Sequence, residues 1–263
     1  MPSRLRSLPP LGLVLALGAC AQGVRVAATD VGPLEPVTAH QLVSRMHDDW
    51  AGRWYRSLEV RQVNTTYTRS GEHTSEWLER QLVPGLLRID FVAPQANGSG
   101  LLYRGDSVYA FDAGKPTSTA RQPQPLQLLT ADVYAVGEDT TVAALETLGV
   151  DLGQFRSDRW QERPVYVVGA AAGDSTTTQF WVDAERMLLL RLLWAQPAGE
   201  RTIVTDYHVT YQDVGGFPVP QEIVIHRNGR PYLRERYAEV RPNAPLEPSL
   251  FDPAQWAQGA PAR

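Results

Sequence analysis

The 263-residue sequence contains one cysteine, and it has no apolar run long enough to cross a bilayer. A single cysteine excludes a disulfide bond within the chain, whatever the redox state of its compartment. The apolar run at residues 11–17 is far shorter than the roughly 20 residues of a membrane-spanning helix, and nothing after residue 20 approaches that length. The formal net charge of −4 provides no basic surface for nucleic acid, so we expect no nucleic-acid partner.

Catalytic and metal-binding motifs are also scarce. The five histidines are scattered, and none forms an H-x-x-x-H or H-E-x-x-H pair; His40 and His47 are seven residues apart. No glycine-x-serine-x-glycine elbow surrounds Ser99. Asp206 and His208 could form an acid–base pair, although a solvated strand face is the commoner setting for such residues. We therefore expect no catalytic residue, no metal and no cofactor, and a hydrolase is the least favoured alternative.

The first twenty residues have the layout of a bacterial export signal. Arg4 and Arg6 precede the apolar run, and two small residues lead to Cys20. The segment Leu17-Gly18-Ala19-Cys20 resembles the lipobox of bacterial lipoproteins, which implies cleavage after residue 19 and acylation of Cys20. The alternative is an incidental cysteine that follows an ordinary signal peptide.

Cleavage would leave a lipid-anchored chain. Removing residues 1–19 takes away two arginines and leaves 23 basic against 29 acidic residues, a net charge of −6. Residues 20–37 have no helical or strand period, which predicts a flexible tether between the acyl chains and a domain. Ala21 after the cysteine is compatible with sorting to the outer membrane, so we expect an outer-membrane lipoprotein that faces the periplasm.

One amphipathic helix opens the domain. Thr38 and Gln41 match a capping box at its start, and Gly52 follows its end. The apolar residues at three- and four-residue spacing are Leu42, Val43, Met46 and Trp50.

Most of the remaining sequence alternates with a period of two. This pattern predicts five short strands between residues 54 and 111 and six more between residues 165 and 240. Between these sets, residues 114–125 are predicted to form a loop, and helical spacing follows over 126–134 and 139–148. The pattern indicates an α+β fold: an open antiparallel β half-barrel of about 10–11 strands, covered by a few lid helices over residues 38–255. A two-sheet sandwich would give similar alternation. Residues 256–263 are predicted to be a disordered tail.

Several segments together resemble the LolA/LolB-like outer-membrane lipoprotein-sorting proteins. They are Leu42-Val43-Ser44-Arg45-Met46, Gln179-Phe180-Trp181-Val182-Asp183, the stretch at 211–220, Val240-Arg241-Pro242-Asn243 and Ser249-Leu250-Phe251-Asp252-Pro253. The resemblance implies a half-barrel with helical lids, whose apolar cavity binds acyl chains of a lipid or lipoprotein. It also implies a strand arginine that couples lid to barrel, with Arg61, Arg80 and Arg88 as candidates.

The predicted cavity consists of apolar residues from the first helix and from alternating strand positions. They are Leu42, Met46, Trp50, Leu58, Val60, Leu87, Ile89, Phe91, Leu190, Leu192, Ile203, Tyr207, Ile223 and Ile225. The expected partners are a lipid or lipoprotein acyl chain and the membrane. The alternative function is an envelope-stress sensor or scaffold that binds a protein partner through the same fold.

Replacing Cys20 tests the predicted anchor. Cys20→Ala removes the only thiol that can be acylated, so we expect the protein to leave the membrane fraction while its far-UV circular dichroism stays unchanged. Retention of the variant in washed membranes, or loss of its fold, would contradict the division into anchor, tether and domain.

Overall fold

The computed structural model describes residues 35–94 and 96–259. The described residues from Pro36 onward belong to one compact unit. The predicted signal peptide, Cys20 and most of the predicted tether lie outside the described residues, as do residues 260–263. In the described part of the chain, no helix is both long and apolar enough to span a membrane.

Helix α1 (Ala39–Trp50) begins and ends where its sequence predicts. The Thr38 side-chain oxygen accepts the Gln41 backbone N–H at 3.2 Å. The Gln41 side-chain oxygen accepts the N–H of Val37 at 2.9 Å, so the capping box closes one residue earlier than expected. The helix buries Ala39, Leu42, Val43 and Met46, and Trp50 is half-buried.

All strands belong to one antiparallel sheet of 13 strands. In chain order they are β1 (Ser57–Thr68), β2 (Gly71–Leu82), β3 (Leu86–Ala93), β4 (Gly100–Arg104), β5 (Ser107–Asp112), β6 (Lys115–Arg121), β7 (Phe155–Trp160), β8 (Arg163–Val168), β9 (Gln179–Asp183), β10 (Leu189–Ala198), β11 (Arg201–Val214), β12 (Phe217–Arg227) and β13 (Arg230–Pro242). The spatial order is β6-β5-β4-β3-β2-β1-β13-β12-β11-β10-β9-β8-β7. Each half is thus a meander, and the pairing of β1 with β13 joins the halves.

The strand count exceeds the prediction by two, and the two missed strands are the edges of the sheet. Residues 115–121 were expected to be a loop, but they form β6, whose residues are all exposed. An exposed strand has no dry face, so its sequence shows no alternation. Pro116 is tolerated because an edge strand need not donate every backbone N–H. Strand β7 is exposed only at its centre, Ser157–Arg159, but it too is short of apolar residues and shows no clear alternation.

The segment between the two edge strands contains the remaining helices. They are α2 (Pro125–Thr130), a 3₁₀ turn (Asp132–Tyr134) and α3 (Glu138–Thr147). Helix α3 begins one residue before the predicted 139–148 segment: its N-cap is Gly137, which has no side chain to cap the helix, and Asp139 lies in the first turn. Acidic side chains in the first turn interact favourably with the positive end of the helix dipole.

The largest apolar cluster lies between these helices and one face of the sheet, here called the concave face. It includes Met46 of α1, Leu145 of α3 and Val60 of β1. Tyr134 donates its hydroxyl to the Met187 carbonyl at 3.2 Å, and its ring lies 4.0 Å from that of Trp54. The Trp50 indole N–H donates to the Arg186 carbonyl at 3.1 Å. Together these contacts fix the helices to the β9–β10 turn.

The opposite, convex face of β2–β5 is covered by the end of the chain. Two 3₁₀ helices, Pro248–Phe251 and Pro253–Gly259, pack there. The predicted boundary at residue 255 is therefore too early, because Trp256 is 1% exposed and stacks on Phe111 at 4.2 Å. Gly100 permits this approach, since a Cβ there would lie 2.9 Å from the Trp256 ring.

A buried arginine holds this terminal segment. Arg88 is 0% exposed and makes two hydrogen bonds to the Asp90 carboxylate, at 2.9 and 2.8 Å. It also donates to the carbonyls of Leu250 and Trp256 and lies 3.9 Å from the Trp256 ring centre. Arg80 donates to the Gly259 carbonyl at 2.9 Å. The charge of Arg88 is thus fully compensated by a carboxylate, two carbonyls and an aromatic face.

Removing Arg88 should therefore be costly. Arg88→Met leaves Asp90 buried with only the more distant Arg80, 3.6 Å away, so we expect a loss of about 3–5 kcal/mol in the free energy of unfolding by urea. Arg121→Met is the matched control, because the Arg121–Asp106 ion pair is exposed and such pairs contribute at most about 1 kcal/mol. Equal losses in the two variants would refute this account of Arg88.

Candidate ligand-binding cleft

A narrow cleft lies between α2 and the concave face. Its volume is about 80 Å³. The sheet side of the cleft is formed by β1–β3, β12 and β13, and the helix side by α2 and the residue before it. The lining residues are Tyr55, Leu58, Glu79, Gln81, Leu87, Ile89, Gln124, Leu126, Gln127, Thr130, Pro220, Ile223, Glu235 and Tyr237.

Helix α2 separates this cleft from a second, larger groove. The groove has a volume of about 360 Å³ and lies between α2, α3 and the turns at Gly85 and Gly105. Gln124 and Gln127 line both spaces, so α2 is the only described element between them at that point. Displacing α2 would therefore merge the cleft and the groove.

Helix α2 is held in this position by packing, with four of its six residues buried, and not by a cap of its own. The helix has six residues, begins with Pro125 and has no side-chain cap. The Asp132 carboxylate, just after it, accepts the Gly85 N–H at 3.1 Å. Burial raises the pKa of Asp132 to about 6, although this hydrogen bond and the Gln127 side chain oppose the rise. A short helix of this kind has little stability of its own and depends on its packing.

Two carboxyl groups line the sheet side of the cleft. Glu79 of β2 and Glu235 of β13 flank β1 from its two sides. The Gln62 amide nitrogen donates to Glu79 at 2.7 Å. Burial raises the pKa of Glu79 to about 7. Burial, followed by repulsion from Glu79, raises that of Glu235 to about 8. Desolvation thus keeps much of this pair protonated near neutral pH.

Twelve of the fourteen sequence-predicted cavity residues fall into three groups. Leu58, Leu87, Ile89 and Ile223 line the cleft. Leu42, Met46, Trp50, Val60, Leu192, Tyr207 and Ile225 belong to the apolar cluster under the helices without lining the cleft. Phe91 packs on Trp77 in an adjacent cluster with Leu87 and Ile89.

Two of the predicted residues lie elsewhere. Leu190 packs with Val165 and Trp181 on the convex side, because an irregularity in pairing between Leu189 and Arg191 interrupts the alternation of β10. Ile203 is half-buried near the start of β11, opposite Gln196.

None of the three candidate coupling arginines points toward the helices. Arg80 and Arg88 contact the terminal segment, as described above. Arg61 pairs with Glu76 at 3.2 Å and Glu239 at 3.7 Å. All three side chains lie on the convex face, so in the described chain the helices are held by aromatic and backbone contacts instead.

The residues considered for catalysis do not assemble a metal site. Among residues 35–94 and 96–259, no three His, Cys, Asp or Glu side chains are placed to bind a metal ion. Asp206 accepts two hydrogen bonds from Arg191, each of 2.9 Å, and lies 3.1 Å from His208. The Arg191 guanidinium lies between the Trp160 and Trp181 rings, 4.5 Å from each centre. Asp206 thus has a structural ion-pair partner on the convex face.

Sequence reasoning missed the polar residues of the cleft. It placed Gln62 on the same face as Leu58 and Val60, but it did not extend this parity to β2 and β13. Glu79 is paired with Val60 across the β1–β2 ladder, and Tyr237 with Gln62 across β1–β13. Directly paired residues of neighbouring strands lie on the same face of the sheet. This rule would identify Glu79 and Tyr237 once the strand partners are known.

The raised pKa values of the pair predict a pH-dependent stability. In the unfolded chain both glutamates ionise near pH 4.5, whereas in the folded chain they retain protons to about pH 7 and 8. Stability should therefore fall as the pH rises from about 5 to 8. We expect Glu79→Gln/Glu235→Gln to weaken this fall and to raise Tm at pH 8 by about 2–8 °C, after a discount for solvent in the cleft.

Thermal unfolding at pH 5 and pH 8 measures this difference. Glu239→Gln is the control, because Glu239 lies on the same strand as Glu235 with its side chain 77% exposed. A fall in Tm that is equally steep in the double variant and in the control would contradict the assignment.

The fold has counterparts among solved structures. A proposed outer membrane lipoprotein-sorting protein domain from Vibrio parahaemolyticus superposes with a TM-score of 0.57 at 11% identity, covering 83% of this chain and 97% of its own. The LolA superfamily protein NE2245 from Nitrosomonas europaea gives 0.53 at 14% identity, with 82% and 98% covered. A DUF1329 family protein from Desulfovibrio piger ATCC 29098 gives 0.54 at 13% identity, with 81% and 95% covered.

Sequence similarity alone adds no relative. No protein-family model matches the chain, and no curated protein matches it significantly. At identities of 11–14%, the structural likeness establishes the fold. The large open antiparallel sheet with its few helices therefore has the same fold as these solved structures, an open half-barrel.

Proposed function

We propose that this protein binds the acyl chain of a lipid or lipoprotein between α2 and the concave face, while Cys20 anchors it to the outer membrane on the periplasmic side. The observation that carries the proposal is the thin partition formed by α2 between a cleft with a mixed apolar and polar lining and a larger, mainly apolar groove. The likeness to lipoprotein-sorting domains supports the same class of ligand. In this role the protein takes part in lipid or lipoprotein trafficking.

Binding requires α2 to move. Ligand sites for small molecules usually measure about 300–1,000 Å³. The cleft, at about 80 Å³, is too small for an acyl chain, whereas the groove on the other side of α2, at about 360 Å³, is within that range. A chain that displaced α2 would occupy both spaces, and each buried CH₂ would contribute about 0.8 kcal/mol. Release would follow when α2 returns to the sheet.

A variant that fills the cleft tests the location. Ile89 lines the cleft and is 8% exposed, so Ile89→Trp should place an indole where the acyl chain would lie. We expect the affinity for a fluorescent fatty acid to fall at least about tenfold, or about 1.4 kcal/mol. Val204→Trp is the matched control, because Val204 packs against the convex cluster.

Circular dichroism shows whether both variants fold. Lipid extraction of the purified protein, followed by mass spectrometry, shows whether the chain carries a ligand from the cell. An empty protein that takes up no fatty acid, and that instead retains one membrane protein from solubilised envelope, would replace this proposal with the sensor or scaffold alternative.

A further inference from the structure

We propose that the ligand of the cleft carries an ammonium group, which Glu79 and Glu235 bind. The inference rests on the proposed function and adds the chemistry of the ligand's head: an amphiphile with an apolar chain and a protonated amine. Both carboxyl groups line the cleft, so a ligand held there by its chain would bring its head group against them.

The two carboxyl groups have no cationic partner in the described part of the chain. Neither forms an ion pair there, although 18 such pairs involve other residues. The nearby arginines have other partners: Arg61 and Arg80 pair with Glu76 and Glu59, Arg234 pairs with Glu222, and Arg227 of β12 stacks on the Tyr232 ring. Many acidic residues of this sheet are thus matched by arginine, whereas the two glutamates of the cleft are not. A cationic ligand would supply the missing charge.

Neutral polar groups beside the pair are also unsatisfied. Asn64 is 0% exposed, lies directly opposite Glu235 on the β1–β13 ladder, and has a hydrogen-bond partner for neither side-chain atom among the described residues. The side-chain oxygen of Gln62, which is 1% exposed, is likewise unpartnered. A buried amide without partners costs free energy, so its presence indicates a polar group that completes it.

These groups fit the needs of an ammonium ion. A primary ammonium has three N–H donors and no acceptor. Glu79, Glu235 and the amide oxygens of Gln62 and Asn64 provide acceptors on one face of adjacent strands. Tyr55 and Tyr237 line the same cleft, and aromatic rings stabilise cations by their π faces. An anionic head group would be repelled by the ionised carboxylates, so it would bind less tightly than a neutral one.

The charge state of the pair makes this binding depend on pH. The titratable groups around Glu79 and Glu235 are each other, Tyr55, Tyr103, Tyr207 and Tyr237; Asp132 acts on Tyr55 from the helix side, and Arg227 acts on Tyr207. The tyrosines stay neutral below pH 10 because burial raises the pKa of each. Raising the pH from 6 to 8.5 ionises the glutamates while an alkylammonium, whose pKa resembles that of lysine at about 10, keeps its charge. Ammonium binding should therefore strengthen about tenfold over this range.

Three ligands of equal chain length separate the possibilities. Dodecylammonium, dodecanol and dodecanoate are titrated by calorimetry, each below its micellar concentration, into the full chain with Cys20→Ala, which requires no detergent. We expect dodecylammonium to bind at least about tenfold more tightly than dodecanol at pH 8 and dodecanoate to bind most weakly. Equal binding of the amine and the alcohol would overturn the ammonium site and leave the apolar site in place. Failure of all three to bind would overturn the proposed function as well.

Variants assign the preference to the carboxyl groups. Glu79→Gln/Glu235→Gln should bind dodecylammonium and dodecanol about equally and lose the pH dependence, while Glu239→Gln keeps both properties. A preference that persists in a folded double variant would refute the role of the pair. If the double variant does not fold, the pH profile of the parent protein decides: affinity for dodecylammonium that is constant from pH 6 to 8.5, or that weakens, contradicts the site.

Discussion

The pairing of β1 with β13 is the contact on which the rest of the architecture depends. It joins the first and last strands of the domain in the middle of the sheet, and it thereby sends β6 and β7 to opposite edges. These two edge strands are consecutive along the chain, so the segment between them must cross from one side of the sheet to the other. That segment contains α2 and α3, and its crossing covers the apolar concave face. The helical cover is thus a consequence of strand order.

The two faces of the sheet differ in whether their buried charged side chains have partners of opposite charge. On the convex side, Arg88 is fully buried but completely compensated by Asp90, two carbonyls and Trp256. On the concave side, Glu79 and Glu235 are placed against apolar residues with no arginine beside them. Because a paired charge fixes structure and an unpaired one is costly, the convex network serves stability. The unpaired carboxyl groups are instead where we propose that a ligand binds.

Alternation of apolar and polar residues was sufficient to find the strands that have one dry face. It found β1, with its dry Leu58 and Val60. It could not find β6, because an edge strand exposed on both faces carries no such pattern. It also misplaced Leu190, since an irregularity in strand pairing shifts the face on which a side chain lies without any mark in the local sequence.

The sequence by itself determined the class of fold, the amphipathic helix α1 and the apolar character of the concave face, because each of these follows from the periodicity of neighbouring residues. Only the tertiary structure decided which residues line the cleft. Leu58, Leu87 and Ile223 are far apart in the chain, and they meet because β1, β3 and β12 follow one particular order in the sheet. The same order brings Glu79 and Glu235 to the two sides of β1. Long-range strand pairing is set by the packing of the whole sheet, so no local pattern contains it.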